Sequence, residues 1–405
     1  MTPAGRIAPQ EWMTAAATGT VMAALNRDGG TARFVGGAVR DALIGRAVTD
    51  VDLATDLKPE AVMTRLQAAG VEVIPTGLKH GTVTAVTGKR HFEITTLRVD
   101  VETFGRHARV AFGADWQADA ERRDFTLNAL YLDADGTLYD PTGGRSDLEA
   151  GRIRFVGDPA TRIAEDYLRV LRFFRFQAHL GRVPPDDAAL EACRAAAPKL
   201  ATLSAERIRV ELLKLLAAPD PAPTVRLMAG LGIFAPILPE AVRLDRLAAM
   251  VTAERMLDEP PAPLRRLAAL LETDDPRGVA DRLRLSNAEI DRVAGALDAA
   301  PLPRPGMAPA EARAEIYRCG ATRFIDRALL GATQMSDPQS YARLFTIARS
   351  FAKPKLPVAG GDLIALGVPK GPAVGRLLRQ VEEHWIGGDF SADREALLAW
   401  AKQQA

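Results

Sequence analysis

RFVGGAVRDALIGRAVTDVDLAT, residues 33–55, reads as an apolar strand running into Gly36-Gly37, a helix from about Ala38, and a second strand carrying Asp50-Val51-Asp52. Side chains alternate along a strand, so Asp50 and Asp52 share one face while Val51 and Leu53 point into the core. Two carboxylates that converge on one spot repel unless a cation joins them. Mg²⁺ suits such a pair, because it takes one or two carboxylates together with substrate phosphate oxygens. The glycine pair lets a phosphate approach the backbone, the helix N-terminus aims free N–H groups at the anion, and Arg40 stands one turn further in to add a charge-assisted bond. The stretch predicts a metal-bound triphosphate.

Outward from it, β-rich runs (ARFVGG, TDVDLAT, VEVIPTG, HGTVTAV, HFEITTLR and LNALYLD) alternate with helical segments and stop near the turn at residues 140–144. This predicts an α/β domain over residues 1–150. Beyond it, Ala/Leu/Arg segments with helical periodicity continue almost to the C-terminus, broken by EPPAPL, PLPRPGMAP and KPKLPVAGG. The fold class is therefore α+β. Ser286-Asn287-Ala288-Glu289, flanked by Leu285 and Ile290, has the form of a capping box with a hydrophobic staple and predicts a helix start.

Composition narrows the partners. A chain of 405 residues can bury more than one core. Lys and Arg number 52 against 51 Asp and Glu, so RNA contact has to come from local basic patches such as residues 162–182, which also fit a solvated helix face. The absence of a long apolar run or a signal pattern predicts a cytoplasmic protein with no membrane partner. Two cysteines, Cys193 and Cys319, lie far apart with no zinc spacing, and five scattered histidines join no GxSxG or Cys/His motif. No covalent nucleophile is indicated.

The order GG-x-x-Arg-Asp followed by Asp-x-Asp resembles the class II tRNA nucleotidyltransferase and bacterial poly(A) polymerase family. The resemblance implies a polymerase-β-like nucleotidyltransferase head (1–150) followed by an all-helical neck (151–218), body (219–300) and tail (301–405), the last two binding tRNA. By the same resemblance Asp50 and Asp52 hold the metals. Glu93 in HFEITTLR is a third acid, with a structural strand acid as the other reading. Glu121-Arg122-Arg123-Asp124-Phe125-Thr126-Leu127-Asn128-Ala129-Leu130 resembles the family's second motif, which implies Asp124 and Asn128 at the ribose hydroxyls and Arg123 at the phosphates, assisted by Arg122.

The run Glu165 to Phe176, EDYLRVLRFFRF, resembles the family's nucleotide-reading helix. Steps of three set Asp166, Arg169, Arg172 and Arg175 along one side, and Leu168, Leu171 and Phe174 form an apolar stripe. Cytosine and adenine both offer an amino donor beside a ring-nitrogen acceptor, so an Asp acceptor beside an Arg donor matches either. Uracil and guanine reverse that order. Asp166 and Arg169 are thus assigned to the base, Arg172 and Arg175 to phosphate or to support. SAERIRVE, residues 204–211, resembles the family's last head-and-neck motif, in which Glu206 and Arg207 brace the reading helix.

The implied reaction is template-independent addition of CCA to the 3′ end of tRNA from CTP and ATP, with RNA rather than DNA as partner. VIPTGLKHGTVT, residues 73–84, is similar to the CCA-adding type, and the tail EALLAWAKQQA lacks the basic extension of poly(A) polymerases. The segment 98–117, with Asp100, Glu102, Arg106, His107 and Arg109, has no clear secondary structure and resembles the loop with which such enzymes switch from C to A. An ordinary surface loop fits too, which leaves an A-adding enzyme open, and a non-catalytic RNA-binding module is the reading from another class. The glycine turn at 366–372 offers N–H groups and Lys370 to an RNA phosphate, or is a plain interhelical turn.

Overall fold

Short Val/Ile/Thr-rich runs give way to Ala/Leu/Arg-rich ones near residue 140, and the secondary structure changes with them. The computed structural model describes residues 1–78, 81–88, 90–104 and 107–404, with the backbone alone for 99–104 and 107–111. Two units emerge, Met1–Pro239 and Glu240–Ala405.

Unit 1 begins with β1 (Pro3–Arg6), α1 (Glu11–Thr14), α2 (Ala16–Leu25), β2 (Ala32–Val35), α3 (Gly37–Leu43), β3 (Val51–Thr55) and α4 (Pro59–Ala68). β4 (Glu72–Gly77), β5 (Thr82–Thr87), β6 (Arg90–Thr96), β7 (Arg98–Phe104), β8 (His107–Phe112), α5 (Trp116–Glu121), β9 (Tyr131–Leu132) and β10 (Thr137–Tyr139) follow. Eight of these strands form one sheet in the order β1-β10-β9-β2-β3-β6-β5-β4, and β7 pairs with β8 separately. Among the described residues of the large sheet only β3 and β6 run parallel, with Asp52 opposite Glu93. The sheet's inner face buries Phe34, Leu53, Phe92 and Ile94 almost completely. Each such side chain contributes roughly 1.5–3 kcal/mol on transfer from water.

The helices of unit 1 after the sheet are α6 (Gly144–Ala150), α7 (Pro159–Glu165), α8 (Leu168–Leu180), α9 (Asp187–Ala196), α10 (Ala205–Leu216) and α11 (Ala222–Gly230). Asp158 caps α7 through Thr161 N at 2.7 Å, with Pro159 in the first turn. α8 buries Leu168, Val170, Leu171, Phe173, Phe174 and Phe176. Its Phe173 packs on Phe125 and Phe155, with ring centroids 6.4 and 5.4 Å apart, and its Phe176 packs on Phe125 at 5.3 Å. This aromatic cluster fixes α8 against the segment that carries Asp124.

Unit 2 is helical among its described residues: α12 (Leu244–Met256), α13 (Pro263–Leu270), α14 (Pro276–Arg282), α15 (Asn287–Ala296), α16 (Pro309–Cys319), α17 (Ala321–Ala332), α18 (Ala342–Ser350), α19 (Gly360–Ala365), α20 (Pro372–Gly387) and α21 (Arg394–Gln404). α15 starts at the expected box, where Ser286 N donates to Glu289 Oε2 at 2.8 Å and Glu289 N to Ser286 Oγ at 3.4 Å. Four charged side chains are buried together: Glu254 accepts from Arg265 and Arg266 at 2.7 Å, and Asp326 lies 3.3 Å from Arg265.

Four expectations are corrected. Asp50 precedes β3 instead of lying within it. Asp166, with φ −155°, occupies the break between α7 and α8, so only Arg169, Arg172 and Arg175 belong to the helix. Residues 98–104 and 107–112 form paired strands where no regular structure was expected, and α5 follows. LNALYLD supplies only the two residues of β9, because Thr126–Asn128 closes as a 3₁₀ turn. Lys79 and His80 of the stretch 73–84, and Arg106 of 98–117, lie outside the described residues.

Candidate active site

A cavity of about 370 Å³ in unit 1 is lined by Gly36, Gly37, Arg40, Asp50, Asp52, Arg123, Asp124, Asn128, Arg172 and Arg175, with Asp41 and Lys214 among the other lining residues. Gly36 ends β2 at φ 67°, a conformation costly for side-chain-bearing residues, and the chain turns there directly into α3. Both aspartates reach the cavity although β3 starts only at Val51. Asp50 is exposed and Asp52 half-buried.

Burial, then the Glu93 charge, push the Asp52 carboxyl up to about 6, with Asp50 adding to the effect and Arg123 and Arg40 opposing it. Glu93 is in register with Asp52 on the neighbouring parallel strand, which puts both on one face of the sheet. It is exposed and not part of the cavity wall. Among the described residues no three His, Cys, Asp or Glu side chains close on one point to hold a metal. What this site offers is a pair of hard carboxylate oxygens.

A chain of hydrogen bonds links α3 to α8 behind the aspartates. Arg40 Nη1 donates to Asn128 Oδ1 at 2.8 Å and Asn128 Nδ2 to Asp124 Oδ1 at 3.0 Å. Asp124 Oδ2 accepts from Arg172 Nε at 2.6 Å, and its Oδ1 also takes the Phe125 N–H at 2.9 Å. Although burial raises the Asp124 carboxyl, Arg172 and these donors hold it below the usual range. Arg172 and Arg175 also lie 3.8 and 3.2 Å from Glu211, a buried acid on α10. Arg40 also donates from Nε and Nη2 to Asp41 at 3.0 and 3.1 Å.

Arg123 is fixed differently. Asp119, 1% exposed, accepts from Arg123 Nη2 at 2.9 Å, from Arg122 Nε at 2.8 Å and from the Tyr131 hydroxyl at 2.7 Å. Burial raises this carboxyl, and Arg123 and Arg122 together lower it further than that. Nothing in the sequence alone marks Asp119 as a site residue. Its signal was the spacing of three and four residues to Arg122 and Arg123, legible only once α5 was known to be helical.

Asp166 and Arg169 stand apart from this cavity's wall. Asp166 Oδ2 accepts from Arg207 Nη2 at 2.6 Å, so Arg207 braces this junction as expected. Asp166 and Arg207 line a second cavity, of about 450 Å³, with Tyr167 and Ser204. Arg169 Nη1 pairs with Glu165 and donates to the Arg162 carbonyl at 2.7 Å, while its Nη2 reaches the Arg122 carbonyl at 3.4 Å. Among the described residues the Glu206 side chain, in the first turn of α10, makes no hydrogen bond or ion pair.

Comparison with known proteins matches residues 32–154 to a poly A polymerase head domain, 185–244 to an RNA and SrmB-binding site of polymerase A, and 266–401 to tRNA nucleotidyltransferase domain 2. The CCA-adding enzyme of Geobacillus kaustophilus is 36% identical over 388 residues, 94% of this chain and 95% of the relative. The mitochondrial CCA tRNA nucleotidyltransferase 1 of Homo sapiens is also 36% identical, over 92% of this chain and 86% of its own. The crystal structure of the Bacillus stearothermophilus CCA-adding enzyme in complex with CTP superposes with a TM-score of 0.79 at 32% identity, covering 95% of each chain.

Proposed function

Because the chain belongs to the family of CCA-adding tRNA nucleotidyltransferases, we propose that it adds C, C and A to the 3′ end of tRNA from CTP and ATP, without a template. The observation that carries the reading is the convergence of Asp50 and Asp52 on one cavity with Arg40, Arg123, Asp124 and Asn128. In the reaction the 3′-hydroxyl oxygen attacks the α-phosphorus of the nucleotide. One P–O bond forms, the α–β anhydride bond breaks, pyrophosphate leaves and the hydroxyl proton passes to solvent.

The donor set fits a divalent cation: two adjacent carboxylates, one of them held protonated up to about pH 6 by burial and by neighbouring acids, gain most from a positive charge between them. Asp50 and Asp52 would hold Mg²⁺, with Glu93 adding negative field from the next strand. When bound, the metal lowers the pKa of the attacking hydroxyl and offsets charge on the leaving pyrophosphate. Gly36 and Gly37 leave room for phosphate, Arg40 and Arg123 bring positive charge to it, and Asp124 with Asn128 offers polar atoms to the ribose.

Asp166 and Arg169 read the base. Arg207 and Glu165 hold the carboxylate and the guanidinium in place, while their remaining lone pairs and N–H groups meet the Watson–Crick edge of cytosine or adenine. A mispaired uracil or guanine would leave a carboxylate and a guanidinium unsatisfied, which costs several kcal/mol and suffices for strong rejection. The head of residues 1–150 and the neck of 151–218 carry this chemistry, and the body and tail hold the RNA by shape.

Purified protein with Mg²⁺ and tRNA transcripts ending at the discriminator base, at C or at CC tests the reading when the 3′ ends are sequenced. Addition that stops at CCA is expected. An A added only to the CC-ended transcript would make it an A-adding enzyme, unlimited A tails a poly(A) polymerase, and no incorporation an RNA-binding module.

A further inference from the structure

Among the described residues five cationic side chains line the Asp50/Asp52 cavity, and four of them are committed to protein partners: Arg40 to Asp41 and Asn128, Arg123 to Asp119, Arg172 to Asp124, and Arg175 to Glu211. The fifth is Lys214, in the last turn of α10, for which no ion pair or side-chain hydrogen bond is recorded among the described residues. Its backbone is held: His179 Nε2 bonds the Lys214 carbonyl at 2.7 Å, and Arg46, four residues before Asp50, donates to the His179 carbonyl at 3.0 Å. Burial lowers the His179 pKa, with the bond to the Lys214 carbonyl opposing this and the nearby Arg46 adding to it. The lysine's root is thereby tied to the segment that leads into the metal-binding aspartates. Its exposed ammonium remains uncommitted.

We propose that Lys214 binds the β- and γ-phosphates of the incoming nucleotide and follows them as pyrophosphate leaves. A triphosphate brings several negative charges into a cavity whose arginines are already balanced by carboxylates, so the uncommitted ammonium meets it without first breaking an ion pair. Lysine acts there as a point charge on a flexible stem, which suits a group that moves during the reaction. The inference rests on the nucleotidyltransferase reading above and adds to it a residue from α10, outside the head.

Equilibrium binding of CTP and of CMP in Mg²⁺, without tRNA, separates phosphate recognition from base recognition. Lys214→Ala is expected to weaken CTP about tenfold and leave CMP unchanged, and Lys214→Arg to keep most of the CTP affinity. In steady state, KM for CTP and for ATP should rise together while KM for tRNA stays put. Equal loss of CTP and CMP, no loss of either, or a rise confined to KM for tRNA would overturn the assignment, the last by making Lys214 a ligand of an RNA phosphate. A lowered melting temperature with CTP affinity intact would reduce it to a helix-terminus charge. Failure of the wild-type protein to bind CTP would overturn the functional reading itself, and this role with it.

Discussion

At the scale of single residues, two carboxylates that share Arg123 as a charged neighbour have opposite effects on folding. Asp52 has its pKa raised to about 6, so the folded protein retains a proton that the unfolded chain releases near pH 4. Its contribution is most favourable at low pH and is lost as pH rises from about 4 to 6. Asp52→Asn should therefore stabilise metal-free protein by roughly 1–3 kcal/mol at pH 7.5, with no advantage near pH 4, while abolishing nucleotide incorporation. Urea melts in EDTA at the two pH values check this, and added Mg²⁺ should stabilise the wild type alone. Asp119 behaves in the reverse sense. Its pKa is lowered, so its contribution is complete above the ordinary carboxylate range and lost as pH falls through the depressed value. Asp119→Asn leaves Arg122 and Arg123 without their anion and should destabilise by about 3 kcal/mol at pH 7, a gap that closes in acid.

At the scale of elements, α10 does more than fill space beside α8. Its first turn supplies Arg207 to Asp166, its middle Glu211 to Arg172 and Arg175, and its last turn Lys214 to the cavity. Arg207→Ala should let the Asp166 carboxylate rotate out of place. Discrimination against UTP and GTP is then expected to fall about tenfold, in a competition assay with all four nucleotides, while KM for tRNA changes less than twofold. Unchanged selectivity would detach Arg207 from base reading. The helix start at Ser286 offers a simpler case. Ser286→Ala removes one cap and should cost about 1 kcal/mol, measurable by chemical denaturation.

At the scale of the whole molecule, Glu240–Ala405 contains an unusual concentration of buried charge. Glu254, Arg265, Arg266 and Asp326 are each at most 3% exposed. Removing one member strands the others, so Glu254→Ala should destabilise this unit by roughly 3–5 kcal/mol. Hydrogen exchange should report the loss first in α12, α13 and α17. Nothing in the sequence marks these four residues as partners, because Glu254, the Arg265-Arg266 pair and Asp326 come from three helices far apart in the chain. Local signals were stronger. Strand alternation over Val51-Asp52-Leu53, the glycine pair before α3, the capping box at Ser286 and the switch from strand to helical periodicity each depend on neighbours in the chain, and each is readable there. The sequence by itself determined the α+β class and the pair of aspartates that face one cavity. The tertiary structure alone decided that Asp166 leaves the helix to meet Arg207, that Arg172 reaches back 48 residues to Asp124, and that Lys214 joins the cavity. Periodicity reports which face of an element turns inward, whereas the partner met on that face depends on how distant elements pack.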